Sequence, residues 1–209
     1  MNKLRVLFED SDILIVDKPS GMPVHPSKLH QGDTLSDAVM EYLGIPGDEF
    51  VFRCRTRLDK DTSGLVLIAK NPDADRVLSA MMAEKKVIRE YEAVVEDDGS
   101  LPDDGTINAP IARLSENERD IRRCVRDDGQ RAVTHYRVLE RMPGHARVHF
   151  ILETGRTHQI RVHMAHIGHP ITGDSLYNEG SCEPFSLRAV RLRLSHPLTH
   201  QEMDINVNI

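Results

Sequence analysis

Apolar residues come in short runs separated by polar stretches marked with Gly and Pro, and the length of each run separates strand from helix. Val6-Leu7-Phe8 and Ile13-Leu14-Ile15-Val16 are too short for helices. The turn-forming Glu9-Asp10-Ser11-Asp12 between them predicts two strands joined by a tight connection, after which Pro19-Ser20-Gly21 breaks the chain. Thr34, followed by Asp37, has the form of a capping box opening a helix through Leu35, Ala38, Val39 and Leu43, with Gly44 to end it. Residues 64–69 form a compact apolar run suited to a buried strand. Asn71-Pro72 then opens a second helix carrying Val77, Leu78, Met81 and Met82, since proline is tolerated in a first turn.

Strand character returns at 87–95, with Tyr91 in the middle. The stretch 99–131 is polar and broken by Gly and Pro, and it reads as a hairpin or excursion with exposed arginines. Strand patterns resume at 132–139 and 146–152, where Val148, Phe150 and Leu152 alternate. Residues 157–166 read as a helix, and 187–194 and 203–207 as closing strands. Strands outnumber helices, with neither regular β-α-β alternation nor an internal repeat. The expectation is an α+β fold, a mixed and mainly antiparallel β-sheet flanked by helices. No linker interrupts the pattern, so the 209 residues are expected to form a single domain, 1–209.

Composition narrows the class. No apolar run is long enough to span a bilayer as a helix, and the N-terminal stretch meets charge too early for a signal peptide, so no membrane partner is expected. Cys54, Cys124 and Cys182 are odd in number and lack CxxC spacing, which fits free thiols in a reducing, cytoplasmic compartment. The net charge of −6 hides an uneven distribution: Glu96, Asp97, Asp98, Asp103 and Asp104 are crowded into nine residues, and setting them aside leaves −1. Basic clusters then stand out at Arg53, Arg55, Arg57; at Arg119, Arg122, Arg123, Arg126; and at Arg188, Arg191, Arg193. Phosphate contacts need local positive surface rather than a positive total.

Two segments carry the candidate chemistry. In Arg57-Leu58-Asp59-Lys60-Asp61-Thr62-Ser63-Gly64-Leu65, a polar turn presents Asp59 just ahead of an apolar strand, either as a turn-capping residue or as a reactive carboxylate. In Thr154-Gly155-Arg156-Thr157-His158-Gln159-Ile160-Arg161-Val162-His163, guanidinium and imidazole groups cluster at a helix start. Free N–H groups there, with Arg156, would make a phosphate seat, although capping alone explains Thr157 equally well. His158, His163, His166 and His169 crowd one region without HExxH spacing and without a Cys or Glu to complete a set, so no metal site is expected.

The chain resembles the RluA family of pseudouridine synthases in Ile13-Leu14-Ile15-Val16-Asp17-Lys18-Pro19-Ser20-Gly21, in Arg57-Leu58-Asp59, and in Ile167-Gly168-His169-Pro170-Ile171-Thr172-Gly173-Asp174. The likeness extends from about Val6 to Ser195-His196-Pro197-Leu198. It implies a sheet with an RNA-binding cleft and a cofactor-free isomerisation of uridine to pseudouridine in structured rRNA or tRNA. In that reaction the N1–C1′ bond breaks and the base rotates and rejoins through C5. By resemblance Asp59 is the catalytic aspartate, Arg161 the guanidinium that keeps it ionised, and Tyr91 the active-site phenol. The uridine must be flipped out of its stack to be reached, and Arg57 is at the family position that approaches the RNA there. Arg156, Thr157 and His158 are the further expected RNA contacts. Thr56 stands where family members often carry His, which bears on substrate identity. No separate N-terminal S4-type domain and no obligate protein partner are expected, and a monomer is the family-based expectation. Two rival readings are a silent RNA-binding module and a glycosidase-like hydrolase pairing Asp59 with Asp61.

Overall fold

Each apolar run of the sequence becomes an element close to its expected bounds. In chain order these are β1 (Arg5–Glu9), β2 (Ile13–Lys18), α1 (Leu35–Leu43), β3 (Arg53–Cys54), β4 (Ser63–Ala69), α2 (Pro72–Ala83) and β5 (Ile88–Glu96). They continue with β6 (Asp104–Asn108), β7 (Ile111–Arg113), β8 (Arg123–Val125), β9 (Val133–Met142) and β10 (His145–Leu152). α3 (Gln159–His166), β11 (Arg188–Ser195) and β12 (Glu202–Asn206) close the chain. This computed structural model describes residues 4–27, 30–47, 49–117 and 119–207. The fold class is the expected α+β, with two compact units: residues up to Arg89 together with those from Ala189 onward, and residues Glu90 to Arg188.

In the first unit the strand order is β1-β2-β4-β11, with β12 added to β11 and β3 to β4. β2 is buried along its whole length and runs antiparallel to β4, from Ile13 opposite Ala69 to Lys18 opposite Gly64. Burial on both faces explains why neither strand alternates apolar with polar residues. The capping box of α1 forms as read: Thr34 Oγ1 accepts from the Asp37 N–H and Asp37 Oδ2 accepts from the Thr34 N–H, while Gly44 closes the helix in the left-handed region. Asn71 Oδ1 caps α2 by accepting from the Ala74 N–H. The two-residue β3 escaped the sequence reading because so short a strand has no periodic run and is defined by its pairing with β4.

One contact in this unit is unusually close. Gly64 has φ +109°, and a Cβ placed on it would lie 2.1 Å from the Ala189 carbonyl oxygen. Only glycine fits there.

In the second unit β5-β10-β9-β6 form an antiparallel run. Phe150 lies opposite Tyr91 on one side and Tyr136 on the other, so three aromatic residues cross the sheet in one row. The polar excursion resolves into β6 and a separate two-stranded ribbon of β7 and β8. Ile111, Ala132 and Val162 form a small core where ribbon, sheet and α3 meet, with Val125 and Tyr177 against it.

α3 begins at Gln159, two residues later than the expected start at Thr157. His158 takes a left-handed backbone, φ 58°, at the N-cap, and no side chain caps the helix. The Gln159 carboxamide does the organising instead. Its Oε1 accepts from Thr154 Oγ1 and the Arg156 N–H, and its Nε2 donates to the Val133 carbonyl and Thr134 Oγ1.

Candidate active site

In the first unit Asp59 occupies the turn between β3 and β4. Leu58 is buried and pins the turn to the core, whereas Arg57 is exposed and Asp59 is half-buried. Thr56 is buried too, and its Oγ1 accepts from the Leu67 N–H at 2.8 Å. The residue that departs from the family pattern therefore serves the sheet in this protein.

Beneath the turn lies Lys18, with no exposed surface. Its Nζ donates to the carbonyls of Pro19 (3.0 Å), Met22 (2.8 Å) and Lys60 (2.9 Å). Ser20 Oγ donates to the Asp61 carbonyl in the same region. One ammonium thus ties the Pro19–Met22 break to the Asp59 turn. Burial pushes its pKa down to about 8, against the opposing pull of Asp61 and Asp59. Sequence reasoning quoted Lys18 within a motif but gave it no role, because its partners are backbone carbonyls that only the fold brings together.

In the second unit Arg161 is buried on α3. Its Nε and Nη2 donate to the two carboxylate oxygens of Asp174, both at 2.7 Å. The Tyr177 and Phe185 rings lie 5.2 and 5.0 Å from the guanidinium carbon. His158 is also buried, and its Nδ1 lies 2.7 Å from the Tyr177 hydroxyl. The structure therefore brings Arg161 and His158 together around Tyr177, a residue the sequence reading missed although it follows the quoted Gly173-Asp174 by three positions. Asp174 was quoted without a role, and the structure gives it one: it fixes the guanidinium plane.

Tyr91 is 6% exposed, in the middle of β5. Arg156 and Thr157 are exposed, but the Arg156 N–H is spent on Gln159, which weakens the phosphate seat read at that turn. Arg156 Nε donates to the Arg131 carbonyl.

Two groups of carboxylates and histidine lie close enough to suggest a cation: Asp10, Asp12, His196 and Asp97, Asp98, His169. In the first, His196 Nδ1 accepts from the Leu198 and Thr199 N–H groups, so the ring proton is on Nε2, 2.8 Å from Asp10 Oδ2. A metal at Nε2 would drive that proton to Nδ1, against two donors. In the second, Asp97 accepts from the Gly99 and Leu101 N–H groups and from Arg141, and His169 Nδ1 bonds the Glu96 carbonyl. Both groups organise turns.

A family model described as RNA pseudouridylate synthase matches residues 12–166, a span that holds Asp59, Tyr91 and Arg161. The chain belongs to this family. The ribosomal large subunit pseudouridine synthase D of Pseudomonas aeruginosa is 44% identical over 179 residues, covering 84% of this chain and 53% of that protein. An uncharacterized RNA pseudouridine synthase of Bacillus subtilis, YhcT, is 41% identical over 207 residues, covering 95% of this chain and 66% of its own length. Among solved structures, human RNA pseudouridylate synthase domain containing 1 superposes with a TM-score of 0.79 at 26% identity, covering 99% of this chain and 83% of that chain. The chain spans about half to two thirds of the length of the curated relatives it matches. The RluA-type resemblance drawn from the three short motifs is thus borne out by family, relatives and fold together.

Proposed function

We propose that this protein is a cofactor-free RNA pseudouridine synthase that uses Asp59 on a flipped-out uridine. The observation that carries the proposal is the family match across residues 12–166, read with a half-buried Asp59 held in its turn by a buried cation. An ionised Asp59 either attacks the sugar or base, or removes the 2′ proton. Arg161 supplies the positive charge that favours the ionised form, and its bidentate bond to Asp174 would keep that charge in one orientation. Tyr91 stacks on the uracil and offers a hydroxyl for proton transfer at C5. Arg57 enters the space left by the flipped nucleotide, and Arg156, Thr157 and His158 belong to the RNA-facing surface, His158 by orienting Tyr177. The substrate is RNA. Large-subunit ribosomal RNA comes first because relatives are named for it, and tRNA is the alternative. We further propose a monomer acting in the cytoplasm without an obligate protein partner.

The test uses RNA carrying tritium at uracil C5, because joining C5 to C1′ releases that hydrogen to solvent. Wild-type protein should release tritium from ribosomal RNA without freeing uracil. Asp59→Asn should abolish release while RNA affinity stays within about threefold, since charge is lost but little volume. Full activity in Asp59→Asn would end the assignment, and free uracil in the products would favour a hydrolase.

A further inference from the structure

Aromatic residues are scarce in this chain, which has five Phe, four Tyr and no Trp. Two half-buried phenylalanines nevertheless sit close together in Phe50-Val51-Phe52, just before β3. The Phe52 ring lies 5.3 Å from the exposed His25 ring, edge to face, and 6.1 Å from the Phe50 ring at a tilt of 31°. Val51 between them is 57% exposed. The exposed His25 ring and the two half-buried phenylalanine rings therefore form a row at the surface.

Guanidinium groups border the row. Arg53 folds back so that its Nη1 donates to the Val51 carbonyl. Arg57 lies near enough to His25 that its charge, after partial burial, helps hold the imidazole below its ordinary pKa. The ring is thus neutral at neutral pH and has an exposed cation beside it. Flat neutral π-faces edged by arginines suit a nucleotide, whose base stacks on a ring while its phosphate meets a guanidinium. A purely apolar partner would leave those charges uncompensated, and an acidic peptide would leave the ring faces without a matching plane.

We propose that His25, Phe52 and Phe50 form a stacking subsite for an unpaired nucleobase of the RNA, next to the nucleotide held at Asp59. The subsite rests on the proposed function only for its neighbour: Arg57, two residues from Asp59, joins the ring row to that turn. Phe52 is the centre of the row and Phe50 its outer end. The subsite selects for single-stranded RNA, because a base inside a duplex has no free face to offer.

The experiment measures binding of the full chain to a twelve-residue oligouridylate with one internal 2-aminopurine. Anisotropy reports affinity, and 2-aminopurine quenching reports stacking. Phe52→Ala should weaken binding about tenfold and remove the quenching, and His25→Ala should weaken it about threefold. Phe52→Trp should preserve both signals. Phe52→Leu separates stacking from apolar burial, since it keeps apolar volume without a π-face, and it should behave like Phe52→Ala. A ribose-phosphate oligomer lacking bases should bind wild type and Phe52→Ala equally. Wild-type affinity and quenching in Phe52→Leu, at an unchanged denaturation midpoint, would overturn the subsite. Asp59→Asn should leave the quenching intact. Stacking without tritium release by the wild type would therefore sink the catalytic reading and keep this one, and release with no effect of Phe52→Leu would do the reverse.

Discussion

An ammonium group without exposed surface is costly, and Lys18 is held there by three carbonyl acceptors. The fall from an ordinary 10.5 to about 8 corresponds to on the order of 3 kcal/mol of desolvation that the carbonyls and the nearby Asp61 and Asp59 do not offset. Between pH 8 and 10.5 the unfolded chain therefore holds more protons than the folded one, so this group adds stability as pH rises through that window. Lys18→Met removes the titration and leaves three carbonyls without their donor. It should lower stability at pH 7 by on the order of 2 kcal/mol. Urea unfolding of both proteins at pH 7 and pH 9.5 checks the sign: the advantage of the wild type should widen at the higher pH, and a constant gap would mean that Lys18 is not buried as a cation. Because Lys18 donates to the Lys60 carbonyl, the variant should also loosen the Asp59 turn and reduce turnover more than RNA affinity.

α3 shows how a short element can be mostly tertiary in origin. Gln159 through Met164 are all buried, although the segment includes Gln, Arg and His. Propensity and periodicity place such a helix only approximately, because they cannot register a carboxamide bonded to Thr154, Arg156, Val133 and Thr134. The capping box at Thr34 and the Asn71 cap were legible because every partner lies within three residues. Apart from β6, β7 and β8 in the polar excursion, the longer strands were legible from their apolar runs. β3, Lys18, Asp174 and Tyr177 were not, since each owes its role to a residue distant in sequence. The buried Arg161–Asp174 pair makes the point measurable. Asp174→Asn removes the carboxylate that fixes the buried guanidinium and should cost about 3–5 kcal/mol in denaturant unfolding. The double variant Arg161→Met, Asp174→Leu should recover most of that stability while staying inactive. Recovery of activity as well would mean that Arg161 has no part in the reaction.

Along the full chain, charge is distributed rather than abundant. Arg113 and Arg123 stand directly opposite each other across the β7–β8 ribbon, a like-charge pairing that destabilises a ribbon unless an anion lies over it. Arg122 and Arg126 on the same stretch are engaged by Asp120 and Asp128. RNA affinity should fall log-linearly with salt, and replacing Arg113 and Arg123 together by Ala should reduce the slope by about 1–2. An unchanged slope would remove the ribbon from the RNA contacts. The close approach of Gly64 to Ala189 has a consequence in time. The backbone just after the Asp59 turn rests on a residue made 125 positions later in translation. Translation that terminates before the codon for Ala189 would release a product holding every side chain assigned to the chemistry, yet lacking the wall against which that turn takes its shape. Nonsense mutations between the codons for Arg161 and Ala189 should thus be as silencing as those ahead of Asp59.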